Sequence, residues 1–199
     1  MKRCVVFAGI NGAGKTTFFH TGLWQRDGED APSFRINPDE LLVQAGGDAA
    51  NPRHQLAAGK EAIRLVEDCI DCGRSFNWET TLTGHYPLKA IQRAREAGFA
   101  VELFYIGLSS AELANERIAH RVALGGHNIP PETVQRGWEI SLAHFGAALD
   151  LTTYACAYDN SERFVSLATW SGGTLSWIGP HSGACQWFLN AMSGEAWRS

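Results

Sequence analysis

The sequence of 199 residues contains no apolar run of the roughly 20 residues that a membrane-spanning helix requires. It also has no excess of basic residues, because 17 Lys and Arg against 21 Asp and Glu give a net charge of -4. Neither a membrane nor a nucleic acid bound through general charge attraction is therefore expected as a partner. Internal repeats, low-complexity tracts and a Pro/Ser linker are missing as well, so a single domain over residues 1–199 is predicted.

The spacing of the cysteines does not indicate a zinc site. Cys69 and Cys72 are the only pair with metal or redox spacing, and the second pair that a zinc site needs is missing. The basic and then apolar start superficially resembles a signal peptide, but its apolar run is short and leads straight into a glycine loop followed by Lys15. We therefore expect free thiols and a cytoplasmic protein. The five cysteines are Cys4, Cys69, Cys72, Cys156 and Cys185.

Short strand-like runs alternate with helix-like runs along the chain. The clearest strand is residues 100–108, which are rich in β-branched and aromatic residues. Strands that alternate with helices of 10–20 residues are typical of a mostly parallel sheet covered by helices on both faces, an α/β fold. The predicted strands are 3–8, 33–37, 75–79, 100–108, 152–158, 164–170 and 174–178, and the predicted helices are 15–25, one opening at Pro38, 53–72, 86–97, 111–124 and 131–148.

A glycine-rich loop links the first predicted strand to the first predicted helix. Its sequence Gly9-Ile10-Asn11-Gly12-Ala13-Gly14-Lys15-Thr16 matches the phosphate-binding Walker A pattern without a gap. Glycines let backbone N–H groups approach phosphate oxygens closely, and the helix dipole adds partial positive charge. Lys15 is expected to reach the β- and γ-phosphates of ATP, and the Thr16 hydroxyl to bind Mg²⁺. The candidate ATP-binding residues are Gly9, Asn11, Gly12, Ala13, Gly14, Lys15, Thr16 and Thr17.

Other classes of P-loop protein carry motifs that this sequence lacks. It has no Asn-Lys-x-Asp motif of the kind that reads guanine in GTPases, and no Leu-Ser-Gly-Gly-Gln signature of transporter ATPases. A strong Walker B motif, four hydrophobic residues followed by Asp, is missing too. Together with the short length, these absences favour a small-molecule kinase over a GTPase, a motor or a transporter ATPase.

Two acids are candidates for work on a phosphoryl acceptor. A kinase needs a group that orients the acceptor hydroxyl and takes its proton, and ligands of doubly wound sheets collect where strands end. Asp39 follows the second predicted strand, and Glu79 ends the third. Each has a plainer interpretation: Asp39 as a first-turn acid that complements a helix dipole, and Glu79 as a surface charge.

Arginines are also expected, because charge on the transferring phosphoryl oxygens must be stabilised. Arg117 and Arg121 are four residues apart and share one face of a helix, and Arg136 lies on the next helix. With the glycine-containing turn between them, the segment of about 109–148 is predicted to form a helical lid. The alternative is a solvated basic stripe. His127, in the turn, is a candidate substrate contact or a loop histidine without chemistry.

Five segments in this order give the sequence a resemblance to a known family. They are residues 9–17, 36–40 with Ile-Asn-Pro-Asp-Glu, 76–84 with its Glu-Thr-Thr-Leu core, 117–130 with Arg-Val-x-x-Gly-Gly-His-x-Ile-Pro, and 158–161 with Tyr-Asp-Asn-Ser. On these segments the chain resembles the zeta-toxin family of P-loop kinases in its short bacterial form. The resemblance implies a three-layer P-loop kinase fold that uses ATP and Mg²⁺.

The resemblance also implies an acceptor and a partner. Zeta toxins phosphorylate the sugar 3′-hydroxyl of UDP-N-acetylglucosamine, and a small antitoxin protein typically holds them inactive. Carried over, Asp39 would be the general base, Arg117 and Arg121 would serve the transferring phosphate, and Glu79 and Thr81 would contact the UDP-sugar. The substrate-binding candidates are Glu79, Thr81, His127 and Arg136, and the catalytic candidates are Asp39, Lys15, Arg117 and Arg121.

Two positions depart from the family pattern. Ile63 stands where toxins often carry a second substrate-binding carboxylate, and Gln135-Arg136-Gly137 stands where many short members have a run of arginines. Both departures concern the acceptor rather than phosphoryl transfer. A kinase of another nucleotide or small metabolite therefore stays open as an alternative, as does a non-catalytic switch module that binds ATP without transferring its phosphate.

Overall fold

The computed structural model describes residues 1–26, 31–123 and 128–193 and consists of one sheet covered by helices. Seven strands lie in the order β2-β3-β1-β4-β5-β6-β7. Strands β2 to β5 and the central β1 run parallel, whereas β6 and β7 are antiparallel. The predicted α/β fold with a mostly parallel sheet is confirmed.

The bounds of the elements follow the predicted alternation closely. The strands are β1 Arg3–Ala8, β2 Phe34–Ile36, β3 Phe76–Thr80, β4 Ala100–Gly107, β5 Tyr154–Asp159, β6 Val165–Ser171 and β7 Thr174–Ile178. The helices are α1 Lys15–Thr21, α2 Pro38–Gln44, α3 Pro52–Cys72, α4 Tyr86–Glu96, α5 Ala111–Ala123, α6 Pro131–Leu149 and α7 Gln186–Met192, with a 3₁₀ turn at Ser182–Ala184.

Strand β1 divides the core into two apolar layers, because successive side chains of a strand point to opposite faces of the sheet. Val5 and Phe7 pack with Phe18 of α1 and with α5 on one face. Val6 and Ala8 pack on the other face with residues of α3, α4, α6 and α7. Every residue of β1 is buried, as expected for a central parallel strand. The result is a three-layer arrangement with the sheet in the middle.

The parallel register brings the carboxyl ends of the strands together at one edge of the sheet. Ala8 at the end of β1 pairs with Thr80 at the end of β3, and on its other side with Tyr105 of β4. The loops that follow these strands therefore start next to one another. Ligands of open α/β sheets bind at this edge.

Two predicted segments differ in detail from the structure. Helix α1 ends at Thr21 rather than at residue 25, because Gly22 takes a left-handed conformation with φ 73° and caps the helix. Helix α6 is a core helix in its second half, since Phe145 and Ala148 are fully buried and Ser141 hydrogen-bonds Tyr105 at 3.1 Å. The lid over 109–148 stays a prediction, and a closing movement would have to leave this half in place.

Most of the described tryptophans near the C-terminus belong to the core. Trp170 and Trp187 are buried, whereas Trp177 on the last strand is exposed. The cysteines are free thiols, as predicted, and in the described ranges no group of three His, Cys, Asp or Glu side chains could hold a metal ion.

Among the helices of the described residues, none combines the length and the apolar character needed to cross a membrane.

Gly107 provides a test of how closely α7 packs on the sheet. A Cβ atom at this position would overlap the indole ring of Trp187. We expect Gly107→Ala to lower the free energy of unfolding by about 1–3 kcal/mol, the usual cost of overpacking. Urea unfolding measures this loss.

Gly183→Ala is the matched control, because no atom lies within 4 Å of the added methyl group. Its free energy of unfolding should stay within about 0.5 kcal/mol of the unmodified chain. Equal stability of the two variants would show that the ring of Trp187 does not occupy the space above Gly107.

Candidate active site

A cleft of about 720 Å³ opens at the carboxyl ends of the parallel strands. The phosphate loop and the start of α1 form one end. The other end is formed by α3, the start of α4 and the residues after β3, with α2 and α5 on the sides. A cleft of this size is sufficient for a small-molecule ligand.

The glycines of the phosphate loop are required by close backbone approaches. At Gly9 a Cβ would overlap the carbonyl of Ile106, and at Gly12 it would lie 2.8 Å from the carbonyl oxygen of Ala114. Both residues have positive φ angles, 139° and 81°, which favour glycine. Gly14, with φ 90°, caps the start of α1. Gly9 and Gly12 therefore let the loop pack directly against the end of β4 and against α5.

Lys15 lies over this loop. Its ammonium Nζ donates to the carbonyl oxygens of Gly9 at 2.8 Å and Ile10 at 3.1 Å. Burial lowers the pKa of Lys15, and the carboxylates of Glu79 and Asp39 oppose that shift. Those two acids are thus close enough to influence the ammonium, and they place negative charge on the side of the loop that faces the cleft.

Glu79 is joined to the phosphate loop rather than being a free surface charge. Its Oε2 accepts a hydrogen bond from the Thr16 hydroxyl at 2.9 Å, and its Oε1 pairs with Nη2 of Arg35. The residue is 5% exposed. A buried carboxylate with two such partners is satisfied and held in one orientation.

Arg35 binds two further side chains besides Glu79. Its Nε donates to Glu40 Oε1 at 2.8 Å and its Nη1 to Asn77 Oδ1 at 3.2 Å. The guanidinium also lies 3.7 Å from the centroid of the Phe19 ring. Arg35 therefore connects β2, β3, α2 and α1 behind the cleft.

Asn37 links the phosphate loop to the helix that carries Asp39. Its Oδ1 caps α2 by accepting from the backbone N–H of Asp39 at 2.9 Å, and its Nδ2 donates to Thr16 Oγ1 at 3.4 Å. Asp39 itself is mostly exposed to the cleft, with Oδ2 3.9 Å from Nη1 of Arg121. Asp39 thus lies in the first turn of α2, where its charge complements the helix dipole, and its carboxylate remains accessible to a substrate.

The predicted arginines divide into two groups. Arg117 and Arg121 both line the cleft. Arg117 donates through Nη2 to the carbonyl oxygens of Asn160 at 2.7 Å and Ser161 at 2.9 Å. Arg136 is exposed on α6 and does not line the cleft. His127 lies outside the described residues.

The predicted ATP-binding residues also divide. Six of them line the cleft, and Gly9 and Ala13 lie buried behind it. The carbonyl of Ala13 accepts from Nδ2 of Asn160 at 2.8 Å, so Ala13 supports the loop from below. The six are Asn11, Gly12, Gly14, Lys15, Thr16 and Thr17.

The end of the cleft away from the phosphate loop is partly apolar. Trp78 and Tyr86 lie edge to face with ring centroids 6.0 Å apart, and Ile63 faces the same space. Thr81 lines this end and exchanges a 2.7 Å hydrogen bond with Thr83. This end of the cleft offers hydroxyl groups and flat apolar surfaces.

Thr16 and Glu79 are the described side chains best suited to hold a hard cation. A hydroxyl and a carboxylate oxygen are ligand types that Mg²⁺ prefers, and a P-loop Ser or Thr with an acid on a neighbouring strand is the usual pair. The two oxygens lie 2.9 Å apart, a separation at which both could bind the same cation beside the loop.

Three residues of the site were missed in the sequence analysis. Asn37, directly before Pro38, has the pattern of a helix cap, which could have indicated its position. Arg35 gave no such signal, because Asn77 and Glu79 lie more than 40 residues away in the sequence. Asn160 entered the sequence analysis only as part of the segment 158–161, and its contact with Ala13 spans 147 residues.

A strand, glycine loop and helix at the edge of a mostly parallel sheet define a P-loop protein with a kinase-like α/β fold. The chain belongs to the AAA domain family, AAA_33, whose model matches residues 4–140. An uncharacterized protein of Haemophilus influenzae is 33% identical over 134 residues, which are 67% of this chain and 90% of that protein.

Solved structures share the fold at low sequence identity. A chain of the AvrRxo1-ORF1:-ORF2 complex with ATP matches with a TM-score of 0.70 and 17% identity, covering 94% of this chain. The present chain spans 64% of that protein's length. A chain of the PezAT chromosomal toxin–antitoxin system of Streptococcus pneumoniae matches with a TM-score of 0.57 and 19% identity, covering 94% of this chain and 76% of that one.

The contact between Glu79 and Thr16 predicts that Glu79→Gln changes the Mg²⁺ dependence of nucleotide binding. Removing the charge from a cation-binding carboxylate should raise the Mg²⁺ concentration needed for half-maximal ATP binding by about 10-fold. Calorimetric ATP titrations at several Mg²⁺ concentrations measure this. If ATP binding is unchanged at every concentration and only acceptor use is weakened, Glu79 is a substrate contact, as the resemblance implies.

Proposed function

We propose that this protein is an ATP-dependent phosphotransferase that phosphorylates a hydroxyl group of a small molecule. The observation that carries the proposal is the position of Asp39, whose accessible carboxylate shares one cleft with Lys15 and Thr16 of the phosphate loop. A phosphate site that faces an acid across a cleft is the arrangement that phosphoryl transfer to a hydroxyl requires.

ATP would bind with its triphosphate in the phosphate loop. Lys15 would exchange its bonds to loop carbonyls for bonds to the β- and γ-phosphates. Asn160 and Phe164 line the cleft beside the loop and supply one wall for the rest of the nucleotide. The ATP-bound AvrRxo1 complex, which shares this fold, is consistent with such use of the cleft.

Mg²⁺ would be held by Thr16 with Glu79 beside it, and it would neutralise charge on the phosphate oxygens. Arg35 keeps Glu79 in place, and Asn37 keeps Thr16 in line with α2. Arg35 and Asn37 would thus each hold one of the two residues that bind the cation.

Asp39 would act as the general base. Because Asn37 caps the first turn of α2, the position of Asp39 is fixed relative to Thr16. The carboxylate would accept the proton of the acceptor hydroxyl as that oxygen attacks the γ-phosphorus. The bond from the γ-phosphorus to the bridging oxygen of the β-phosphate would break in the same step, and ADP would leave. Arg121, 3.9 Å from Asp39, would stabilise the charge that spreads over the transferring group. Arg117 lines the cleft and is proposed to assist.

The first candidate for the acceptor is a UDP-sugar such as UDP-N-acetylglucosamine, which the zeta-toxin resemblance implies. Thr81 would hydrogen-bond the sugar, and Glu79 would do so if its cation role proves minor. Ile63 supplies no hydrogen bond where a carboxylate is common, so we expect relaxed selectivity among UDP-sugars. The second candidate is another nucleotide or small metabolite, which the flat apolar surfaces of Trp78 and Tyr86 could accommodate.

A panel of acceptors incubated with ATP and Mg²⁺, with mass-spectrometric detection of phosphorylated products, tests the proposal. We expect one additional phosphate on at least one hydroxyl compound, with UDP-sugars as the first class. Product with an unrelated metabolite and none with any UDP-sugar would contradict the UDP-sugar assignment alone. ATP binding without product from any acceptor would favour the alternative, a switch module.

A small antitoxin protein is proposed as a partner on the same resemblance. The PezAT match, which belongs to a toxin–antitoxin system, supports this only through the shared fold. Expression of the chain in a bacterial host with and without the adjoining open reading frame tests it. Growth arrest relieved by that neighbour is the expected result, and unaffected growth in both cases would contradict it.

The general-base role predicts a selective loss in Asp39→Asn. This variant keeps the shape of the side chain and the capped backbone N–H, but it cannot accept the proton. We expect kcat to fall by about 10²–10⁴-fold with little change in ATP affinity. Steady-state kinetics and ATP calorimetry measure the two quantities.

Glu40→Gln is a useful comparison, because Glu40 lies next in the sequence but points its Oε1 to Arg35. Its kcat should fall less than that of Asp39→Asn. Collapse of ATP binding in Asp39→Asn would instead make Asp39 a metal or structural residue and would require another base.

A further inference from the structure

The wall of the cleft beside the phosphate loop comes from a part of the chain that the family match does not include. The match ends at residue 140, whereas Asn160 and Phe164 follow β5. Both residues line the cleft, and Asn160 is 9% exposed. The segment that connects β5 to β6 therefore has to be held against the loop by contacts outside the matched region.

Asp159 holds the segment in place by accepting hydrogen bonds from Ser161, which follows it closely in the sequence, and from Trp187 of α7. Its Oδ1 accepts from the Ser161 hydroxyl at 2.8 Å, and its Oδ2 from the backbone N–H of Ser161 at 3.1 Å. The Oδ1 also accepts from the indole Nε1 of Trp187 at 2.8 Å. An acid that accepts this many bonds fixes the backbone that follows it.

Trp187 is a rigid anchor for that acid. It is 2% exposed and packs against Tyr105 and Phe188 in the core. Its ring also occupies the space above Gly107, where a Cβ atom would overlap it. The indole N–H therefore has a fixed position, set by α7 and β4.

The backbone that Asp159 fixes is the part that touches the phosphate loop and α5. The carbonyls of Asn160 and Ser161 both accept from Nη2 of Arg117, at 2.7 and 2.9 Å. The side chain of Asn160 donates to the carbonyl of Ala13 at 2.8 Å. A Cβ on Gly14 would lie 2.6 Å from Nδ2 of Asn160, so the segment lies directly on the loop.

We propose that Asp159, held by Trp187 of the C-terminal helix, is a positioning residue for nucleotide binding. It sets the backbone of Asn160 and Ser161, and through it the orientation of Arg117 and the support of the phosphate loop. The inference rests on the proposed use of that loop for ATP. It makes α7 a part of the nucleotide site, although no residue of α7 lines the main cleft in the described structure.

Calorimetric titration of the full chain with ATP and Mg²⁺ tests the inference. Asp159→Ala should weaken ATP binding about 10-fold, the loss of a hydrogen-bonded charge. Trp187→Phe, which removes the N–H and keeps a ring, should weaken it about 3–10-fold. Asp159→Asn keeps one carbonyl oxygen and should lie between Asp159→Ala and the unmodified chain. Trp177→Phe on the exposed strand β7 is the control and should bind ATP normally.

A double variant separates positioning from general damage to the fold. If Asp159 acts through Arg117, then Asp159→Ala should cost far less in an Arg117→Ala background than in the unmodified chain. In the single variant Asp159→Ala the KM for ATP should rise, and kcat should fall no further than it does in Arg117→Ala, because Asp159 acts on the transferring group only through Arg117. Thermal unfolding of each variant checks that the protein is folded.

Two results would overturn the inference. One is ATP binding within about twofold of normal in both Asp159→Ala and Trp187→Phe, and the other is fully multiplicative losses in the double variant. Because the readout is binding, the inference survives if the chain binds ATP but phosphorylates no acceptor, which would defeat the proposed function alone. A chain that binds no ATP would overturn both.

Discussion

The hydrogen bond between Thr16 and the buried carboxylate of Glu79 is the contact on which the arrangement of the site depends. A buried carboxylate is stable only where other groups compensate its charge. Here Arg35 pairs with Glu79 and with Glu40, and Asn37 bonds both Glu40 and Thr16. The contacts form a closed ring from the phosphate loop through β3 and β2 to α2 and back.

This ring fixes the two groups that a kinase has to hold in register. Thr16 lies in the phosphate loop, and Asp39, the proposed general base, follows the cap of α2. Because both are set by Asn37, a shift of one would move the other. Removing Arg35 would leave two acids close together without their cation, which is far more costly than the loss of a surface ion pair. The ring is thus a structural support for the two groups that the proposed reaction uses.

Much of the fold could be predicted from the sequence, because local patterns determine it. Largely apolar runs of six to eight residues mark β1, β4 and β5, and the Walker A residues mark the loop in its strand–helix context. The predicted end of α1, residue 25, lies four residues beyond the observed end at Thr21, because the capping effect of Gly22 was not included. For β6 and β7 the strand pattern was visible, but their antiparallel direction was not.

The site was predictable only in part. Lys15, Thr16, Asp39 and Arg121 meet in the cleft as expected, because each lies at the start of a helix or on its exposed face. Glu79 was expected to face a substrate, and its bonds to Thr16 and Arg35 depend on strand pairing that no local pattern reveals. The same holds for Asp159 and Trp187, which lie 28 residues apart and meet only through the packing of α7.

The central claim is that the loop from Gly9 to Thr16 binds ATP, and calorimetric titration of ATP into Lys15→Met tests it most directly. Methionine keeps the length of the side chain and removes the ammonium. We expect the unmodified chain to bind ATP and the variant to bind it at least about 10-fold more weakly, with an unchanged thermal unfolding midpoint. Equal affinity of the two proteins would contradict the account, because the ammonium over the loop would then have no role in holding phosphate.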